Sequence, residues 1–265
     1  MTTPAPRPPH TSYTPLVVTA ELSAPVILDR WQPLDGILGA AILEDPDLSY
    51  QHRGVTRWQR NVARFGLADA TAYWQRQGWE IPQERHFIPL AVWGHGVQSN
   101  LWTYAASWAQ PGDDYEIDTT AFTKRLDFNQ AHDWVQPPKK TQRIQIGKGE
   151  FKPLYLEFTL TVTDSLTWRI CGEPERLQEI LGVVRSIGKK RRRGYGNVRR
   201  WRIEPDAADH SVFTPAGLLM RPVPIRLLDL LHVSGAFEQA HTAYRPPYHD
   251  GRYVALCAVS GQRSL

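Results

Sequence analysis

The stretch LTWRICGEPERLQEILGVVRSIGKKRRRGYGNVRRWRIE, residues 166–204, predicts a strand, a helix, a glycine-rich loop and a second strand in direct succession. Apolar side chains alternate in its first six residues, as they do in a strand with one buried face. Pro174 suits the first position of a helix, and Gly188 suits the position just after one. The apolar stripe of this helix is Leu177, Ile180, Leu181 and Val184.

The segment before it, YLEFTLTVTD at 155–164, alternates in the same way. The Asp164-Ser165 pair is typical of a turn, so 155–164 and 166–171 are predicted to form a hairpin. Nearer the N-terminus, we predict a strand at 15–23, a helix at 33–45 and a second strand at 86–94. This order predicts an α+β fold with a ferredoxin-like sheet and helices on one face, the architecture of RNA-recognition domains.

Composition suggests how the chain is organised around that sheet. The proline-rich residues 1–14 are expected to be a disordered N-terminal segment, and 15–204 to be the ferredoxin-like domain. Within the domain, 50–85 is expected to be a helical or irregular insertion, and the polar, turn-rich 107–150 to contain a hairpin. The proline-rich 205–265 is expected to pack over the domain with little regular structure.

Positive charge is concentrated in one place. The chain of 265 residues has a net charge of +4, yet nine basic residues lie between positions 185 and 202 with no acid among them. They are Arg185, Lys189, Lys190, Arg191, Arg192, Arg193, Arg199, Arg200 and Arg202. The rest of the chain is therefore net acidic, and the basic segment is expected to attract a polyanion such as a phosphate backbone.

Glycines flank the aromatic residue that follows this run of cations. Gly194 and Gly196 allow the backbone to approach phosphates and to expose its N–H groups. Tyr195 has an aromatic ring that can stack on an unpaired base. These features predict a loop that binds nucleic acid, and the alternative is a solvated, mobile loop that ends in a turn.

Weaker basic signals occur elsewhere. Gly147-Lys148-Gly149, with Arg143 and Lys152 beside it, is either a second backbone contact or a plain β-turn. Lys124 and Arg125 lie in the same polar region. Four arginines at helical spacing form either a nucleic-acid face or a solvated one, and they are Arg53, Arg57, Arg60 and Arg64.

Several function classes are not supported. Gly188 is followed by KKRRRGYG, which is not a nucleotide-binding P-loop, and the dinucleotide pattern also fails. Two isolated cysteines indicate a reduced, cytosolic protein without a structural zinc. No apolar run reaches the roughly 18 residues of a membrane span. His86, His95 and the acids of 113–118 lie in no recognisable catalytic motif, so we expect no enzyme activity and no cofactor.

The segment IGKKRRRGYGNVRRW, 187–201, after an amphipathic helix resembles the glycine-rich loop of the CRISPR-associated RAMP superfamily. Other sequence segments resemble one subunit type within it, the Cas-five-like (Csf-three type) subunit of type IV CRISPR effector complexes. These segments are RWQPLDGILGAAI (30–42), KRLDF (124–128), GKGEFKPL (147–154), LTWRICGEPERLQEIL (166–181), LMRPVP (219–224) and RPPY (245–248).

This resemblance implies a non-catalytic subunit of an antiviral ribonucleoprotein that caps the 5′ handle of CRISPR RNA. Its implied partners are the type IV backbone subunit, a large-subunit-like protein and target DNA near the protospacer-adjacent motif. It also implies a thumb-like hairpin in 107–150. The implied RNA contacts are Lys189 to Arg193 with Gly194, Tyr195 and Gly196, and, in the thumb-like region, Lys124, Arg125 and Lys148.

Two alternatives stay open at this point. A related endoribonuclease of the same superfamily shares the fold and the loop and cleaves repeat RNA without metal. That reaction needs a general base beside the scissile phosphate, and no sequence motif places one there. The other alternative is a generic RNA-binding protein.

Overall fold

The structure of the protein is a computed structural model that describes residues 13–28, 31–44, 88–94, 101–124 and 152–260. Its helices are α1 (Leu34–Glu44), α2 (Pro174–Val183) and α3 (Ile225–Leu230), with 3-10 turns at Arg191–Arg193 and Gly251–Tyr253. Its strands are β1 (Thr14–Leu22), β2 (Val92–Trp93), β3 (Thr103–Tyr104), β4 (Gln110–Pro111), β5 (Glu116–Lys124), β6 (Leu154–Val162), β7 (Ser165–Gly172), β8 (Val198–Pro205), β9 (Val223–Pro224), β10 (Glu238–Ala243) and β11 (Val254–Val259).

The mixed α+β class is confirmed, and its main element is a four-stranded sheet in the order β4-β7-β1-β8. Every neighbouring pair in this sheet is antiparallel. In the register of the two central ladders, Ala20 lies opposite Leu166 on one side and Trp201 on the other. The predicted strand at 15–23 is β1, and the predicted helix at 33–45 is α1. Of the strand predicted at 86–94, only β2 is a described strand.

One face of this sheet carries α1 and α2. Alternate residues of β1 are buried beneath them, from Leu16 to Leu22, together with Leu38 of α1 and Leu177 of α2. Burying each such side chain stabilises the fold by about 1.5–3 kcal/mol. Trp168 is fully buried at the centre and donates its indole N–H to the Gln32 carbonyl at 2.9 Å.

The predicted hairpin of 155–164 with 166–171 is wrong. β6 pairs with β5 along nine residues, from Glu116 opposite Val162 to Lys124 opposite Leu154. Both edges of β7 are already occupied, by β1 and β4, so β7 has no free edge for β6. The chain bends at Thr163, between the two sheets. The Thr163 hydroxyl donates to the Ser165 carbonyl at 3.0 Å and accepts from the Gly112 N–H at 3.3 Å.

The β5–β6 pair, here called the arm, extends the β4–β7 ladder away from the main sheet. At its base, Thr161 and Val26 exchange two backbone hydrogen bonds of 2.8 and 2.9 Å. Most of the arm is exposed, including Leu154, Tyr155 and Leu156. The alternating residues predicted to share one face of β6 do so, but only Leu160 among them is buried. They therefore form a surface of the arm and not a core layer.

The C-terminal segment is more regular than predicted. β10, β11 and β9 form an antiparallel three-stranded sheet, and α3 packs beside it. Val223, Leu227 and Ala258 belong to a small apolar cluster there. Pro215, Pro222, Pro246 and Pro247 fall between short elements, and Pro224 ends β9 and directly precedes α3.

A buried ion pair joins this segment to the main domain. Arg221 is fully buried and donates to Asp35 Oδ2 at 3.1 Å. It also donates to the carbonyls of Tyr104 at 2.5 Å, Ala106 at 2.9 Å and Tyr244 at 2.7 Å, and to the Tyr248 hydroxyl at 3.3 Å. Tyr248 completes the group by donating to Asp35 Oδ1 at 2.8 Å. Burial lowers the pKa of Arg221, but Asp35 and Tyr248 together outweigh that effect and the net pKa is raised, so the guanidinium stays charged.

Across the described residues, none of the helices is both long and apolar enough to cross a lipid bilayer.

Candidate nucleic-acid interface

The basic loop, residues 188–196, is closed at its two ends by backbone hydrogen bonds. The Ile187 N–H donates to the Gly196 carbonyl at 2.9 Å, and the Gly196 N–H donates to the Pro25 carbonyl at 2.8 Å. The Lys189 N–H donates to the Ile27 carbonyl at 2.8 Å. The segment after β1 therefore holds both ends of the loop in place.

Glycine is required where the loop closes. Gly188 and Gly196 have φ of +76° and +65°, in the left-handed region that favours glycine. A Cβ at Gly196 would lie 2.1 Å from the Ile187 carbonyl oxygen, and one at Gly188 would lie 2.4 Å from the Ile27 carbonyl oxygen. The prediction that Gly188 ends the preceding helix is wrong. α2 ends at Val183, and Val184 is extended with its carbonyl bonded to the Trp201 indole at 3.0 Å.

The cations of the loop lie on a tight turn. Arg191–Arg193 form a single 3-10 turn, and all three side chains are exposed. The turn closes through the Gly194 N–H, which donates to the Arg191 carbonyl at 3.0 Å. Gly194 is exposed with φ of +89°. The loop therefore presents three adjacent guanidinium groups on an ordered backbone.

Aromatic contacts dock this loop on the arm. The Tyr195 ring lies edge-on against Phe122, with centroids 5.9 Å apart, and Phe122 lies edge-on against Phe158 at 5.4 Å. The Tyr195 hydroxyl is 3.3 Å from Thr120 Oγ1. Tyr195 was predicted to stack on a base. That role stays a prediction, and the structure adds a second role, which is contact with the arm.

Two of the five cations also lie against these rings. Lys190 Nζ is 5.1 Å from the Phe122 centroid and 5.0 Å from the Phe158 centroid. The Arg193 guanidinium is 5.3 Å from the Phe122 centroid. Each such cation–π contact contributes about 0.5–1 kcal/mol at an exposed site. The positive charge of Lys190 and Arg193 therefore helps to hold the loop on the arm.

The other residues that were predicted to contact RNA do not lie in the basic loop. Arg199 is exposed on β8, where its guanidinium pairs with Glu21 at 3.2 Å. Arg202 pairs with the same carboxylate at 3.2 Å, so part of the charge of β8 is neutralised within the protein. Lys124 and Lys152 are exposed on the arm side of the molecule. Predicted contacts outside the described residues are Arg125, Arg143 and Lys148.

The arm contributes residues to the interface that were not predicted from the sequence. Thr120, Phe122 and Phe158 all project from one face of the β5–β6 ladder, since Thr120 lies opposite Phe158 and Phe122 lies opposite Leu156. The alternation of β6 predicted that Phe158 lies on an apolar face. The predicted pairing partner of β6 was wrong. The contact of this face with the basic loop was therefore not predicted.

Of the residues considered for catalysis, the acids of 113–118 are exposed. Ser107 is buried and structural, because its hydroxyl accepts the Arg169 N–H at 2.8 Å and donates to the Trp108 carbonyl at 3.0 Å. His86 and His95 lie outside the described residues, as does the arginine series of the insertion. Where side chains are described, no group of three His, Cys, Asp or Glu residues is placed to hold a metal ion.

Comparison with known proteins gives no match to any family model and no match to a curated protein.

Proposed function

We propose that this protein binds single-stranded RNA through the basic loop and does so without cleaving it. The observation that carries the proposal is the geometry of Arg191–Arg193, three exposed cations on a turn whose ends are fixed by backbone hydrogen bonds. Ordered cations neutralise phosphates without a further loss of backbone entropy on binding. The exposed Gly194 allows a phosphate to approach the backbone closely.

The sheet order supports a ferredoxin-like fold. α1 follows β1, α2 connects β7 to β8, and β4 pairs with β7 at the sheet edge. This is the arrangement of a β-α-β-β-α-β unit, and RNA-recognition domains use the same arrangement. In that reading the arm is a thumb-like extension of the hairpin formed by β4 and β7, and the basic loop lies between α2 and the last strand.

The particular RNA is proposed to be the 5′ handle of CRISPR RNA. The basis is the resemblance of 187–201 and its flanking segments to the Cas-five-like subunit of type IV effector complexes. In this role the protein caps the handle in the cytoplasm, beside a type IV backbone subunit and a large-subunit-like protein. Target DNA near the protospacer-adjacent motif then enters the same complex.

The chemistry of the loop favours binding over cleavage. Lysine and arginine neutralise phosphates, but with their high pKa values they are poor general bases at neutral pH. The basic loop and the described strands of the arm contain no histidine. The described histidines all lie in the C-terminal segment, at His210, His232, His241 and His249.

The first test is incubation of the full chain with labelled repeat RNA, with and without EDTA, reading binding and product ends together. We expect RNA that is bound and intact in both conditions. Metal-independent cleavage at one site with a 2′,3′-cyclic phosphate end would instead identify the endoribonuclease. The absence of binding to repeat RNA and to an unrelated single strand would contradict RNA binding altogether.

Salt dependence then tests the loop itself. Arg192→Ala is expected to reduce the slope of log affinity against log salt by about 0.7, the value of one phosphate contact on a single strand. Arg176→Ala is the matched control, since Arg176 is exposed on α2 and pairs with Glu179 at 3.5 Å. Equal slopes for wild type and Arg192→Ala would remove Arg192 from the interface.

A further inference from the structure

A cleft of about 460 Å³ lies between α1 and the segment that leads from α2 into the basic loop. Its volume falls in the range of about 300–1,000 Å³ that is typical of pockets for small organic groups. One wall is the α1 face with Gly36 and the small, exposed side chain of Ala40. The opposite wall is the chain from Val183 to Ser186.

The lining is more polar than apolar. Ile37, Ala41 and Val184 supply apolar area, and Gln32 and Ser186 supply hydrogen-bonding groups. Arg185 is exposed on the same wall, so the cleft also has a cation. A planar ring with hydrogen-bonding edges, linked to an anionic group, matches this combination, and a nucleotide has this chemistry.

The position of the cleft relates it to the basic loop. Gly188 and Arg191 belong to the loop and also line the cleft. A strand whose phosphates lie along Arg191–Arg193 would therefore pass the opening, and a base turned out from that strand would face the cleft. Single-stranded RNA is recognised through unstacked bases of this kind.

We propose that the cleft between α1 and the basic loop takes the base of one nucleotide of the bound RNA strand. This inference rests on the proposed RNA binding and adds a site that reads a base beside a loop that binds phosphates. Ala40 sets the opening on the α1 side, and Gln32 and Ser186 contact the edges of the base. Arg185 pairs with the phosphate of the same nucleotide.

The test is a scan in which each nucleotide of the bound RNA is replaced in turn by an abasic one. For the wild type, we expect one position, or two adjacent ones, to lose affinity by about 5-fold or more, the size of effect expected when one or two hydrogen bonds to a base are lost. Ala40→Trp fills the cleft and keeps every cation, since Ala40 is exposed on α1. In this variant the loss at that position should disappear, because the base is already excluded.

The matched control is Gln178→Trp, which places the same side chain on the exposed face of α2 outside the cleft. It should keep the wild-type scan. An even scan for the wild type, or the same scan for wild type and Ala40→Trp, would overturn the base site while RNA binding stands. An even wild-type scan decides the matter even if Ala40→Trp fails to fold. Absence of RNA binding by the wild type would instead remove the proposed function, and with it this inference.

Discussion

The ring of Tyr195 in the basic loop lies edge-on against the ring of Phe122 in the arm, with 5.9 Å between the centroids. Between these two residues the chain runs through β6, β7 and α2, so their contact joins distant parts of the sequence. The contact also brings the cations Lys190 and Arg193 over the same aromatic group. The orientation of the loop therefore depends on the arm.

Removing both rings is expected to cost less than the sum of removing each one. In a double-mutant cycle of Tyr195→Ala and Phe122→Ala, we expect a coupling of about 0.5–1.5 kcal/mol, as found for aromatic pairs. Urea denaturation measures it. Tyr195→Phe should retain most of the stability, since it removes only the 3.3 Å contact of the hydroxyl with Thr120.

Tyr155 provides the control for that cycle. It is an exposed aromatic residue of the same arm, and it projects from the opposite face to Phe122 because Phe122 pairs with Leu156. Tyr155→Ala and Tyr195→Ala should be additive within about 0.5 kcal/mol. A coupling of the same size in both cycles would mean that the loop does not depend on Phe122 specifically.

The glycines of the loop should differ in their tolerance of alanine. Gly196→Ala should destabilise by more than about 2 kcal/mol, because it combines a left-handed φ with a Cβ 2.1 Å from a backbone oxygen. Gly194→Ala has the same unfavourable left-handed φ, but its Cβ would meet no atom within 4 Å. A loss of stability of about 1 kcal/mol is therefore expected. Equal losses in thermal or urea unfolding would show that the close approach to Ile187 is relieved at no cost.

The buried ion pair should be intolerant of a one-sided change. Arg221→Met leaves the carboxylate of Asp35 buried without its cation, at a cost of about 3–5 kcal/mol. Arg221→Met combined with Asp35→Leu should recover part of that loss, because no buried charge remains. Urea denaturation of the three variants checks this, and a loss below about 1 kcal/mol for Arg221→Met would contradict it.

Stability should fall at alkaline pH. Burial raises the pKa of the Cys257 thiol to about 12, and burial together with Asp35 raises the pKa of the Tyr248 hydroxyl. The folded protein thus keeps protons that the unfolded chain releases above about pH 8.5–10. This contribution is fully present at neutral pH and is lost as pH rises toward the folded-state pKa values.

Thermal unfolding between pH 7 and pH 11 measures the effect. The midpoint temperature of unfolding should stay constant at first and then decline above about pH 9. Cys257→Ala should make the decline shallower, since it removes one of the groups involved. An identical decline in wild type and Cys257→Ala would show that the thiol has an ordinary pKa in the folded protein.

Elements with clear periodicity could be predicted from the sequence. β1, α1 and α2 were placed within a few residues, because each buries one regular face against a common core. The basic loop was found for a different reason, since its charge and glycine content stand out locally. In each of these cases the signal lies within a short window of sequence.

Pairing between distant segments could not be predicted in the same way. Alternation in β6 specifies that one face is apolar, but not that its partner is β5 and not β7. The contact of Phe122 with Tyr195 depends on that pairing, so it was missed as well. The Asp35–Arg221 ion pair joins two residues 186 positions apart, and no local pattern distinguishes them from surface charges.

Among the described strands, β8 is the end strand of the four-stranded sheet, and it contains three arginines. An end strand with unpaired backbone groups can template a strand from another molecule, which leads to aggregation. Arg200 is exposed on β8 and takes no part in the ion pairs with Glu21, and two molecules meeting edge to edge would bring copies of this charge together. Arg200, one of the residues that make this segment basic, therefore also protects the sheet against self-association when no polyanion is bound.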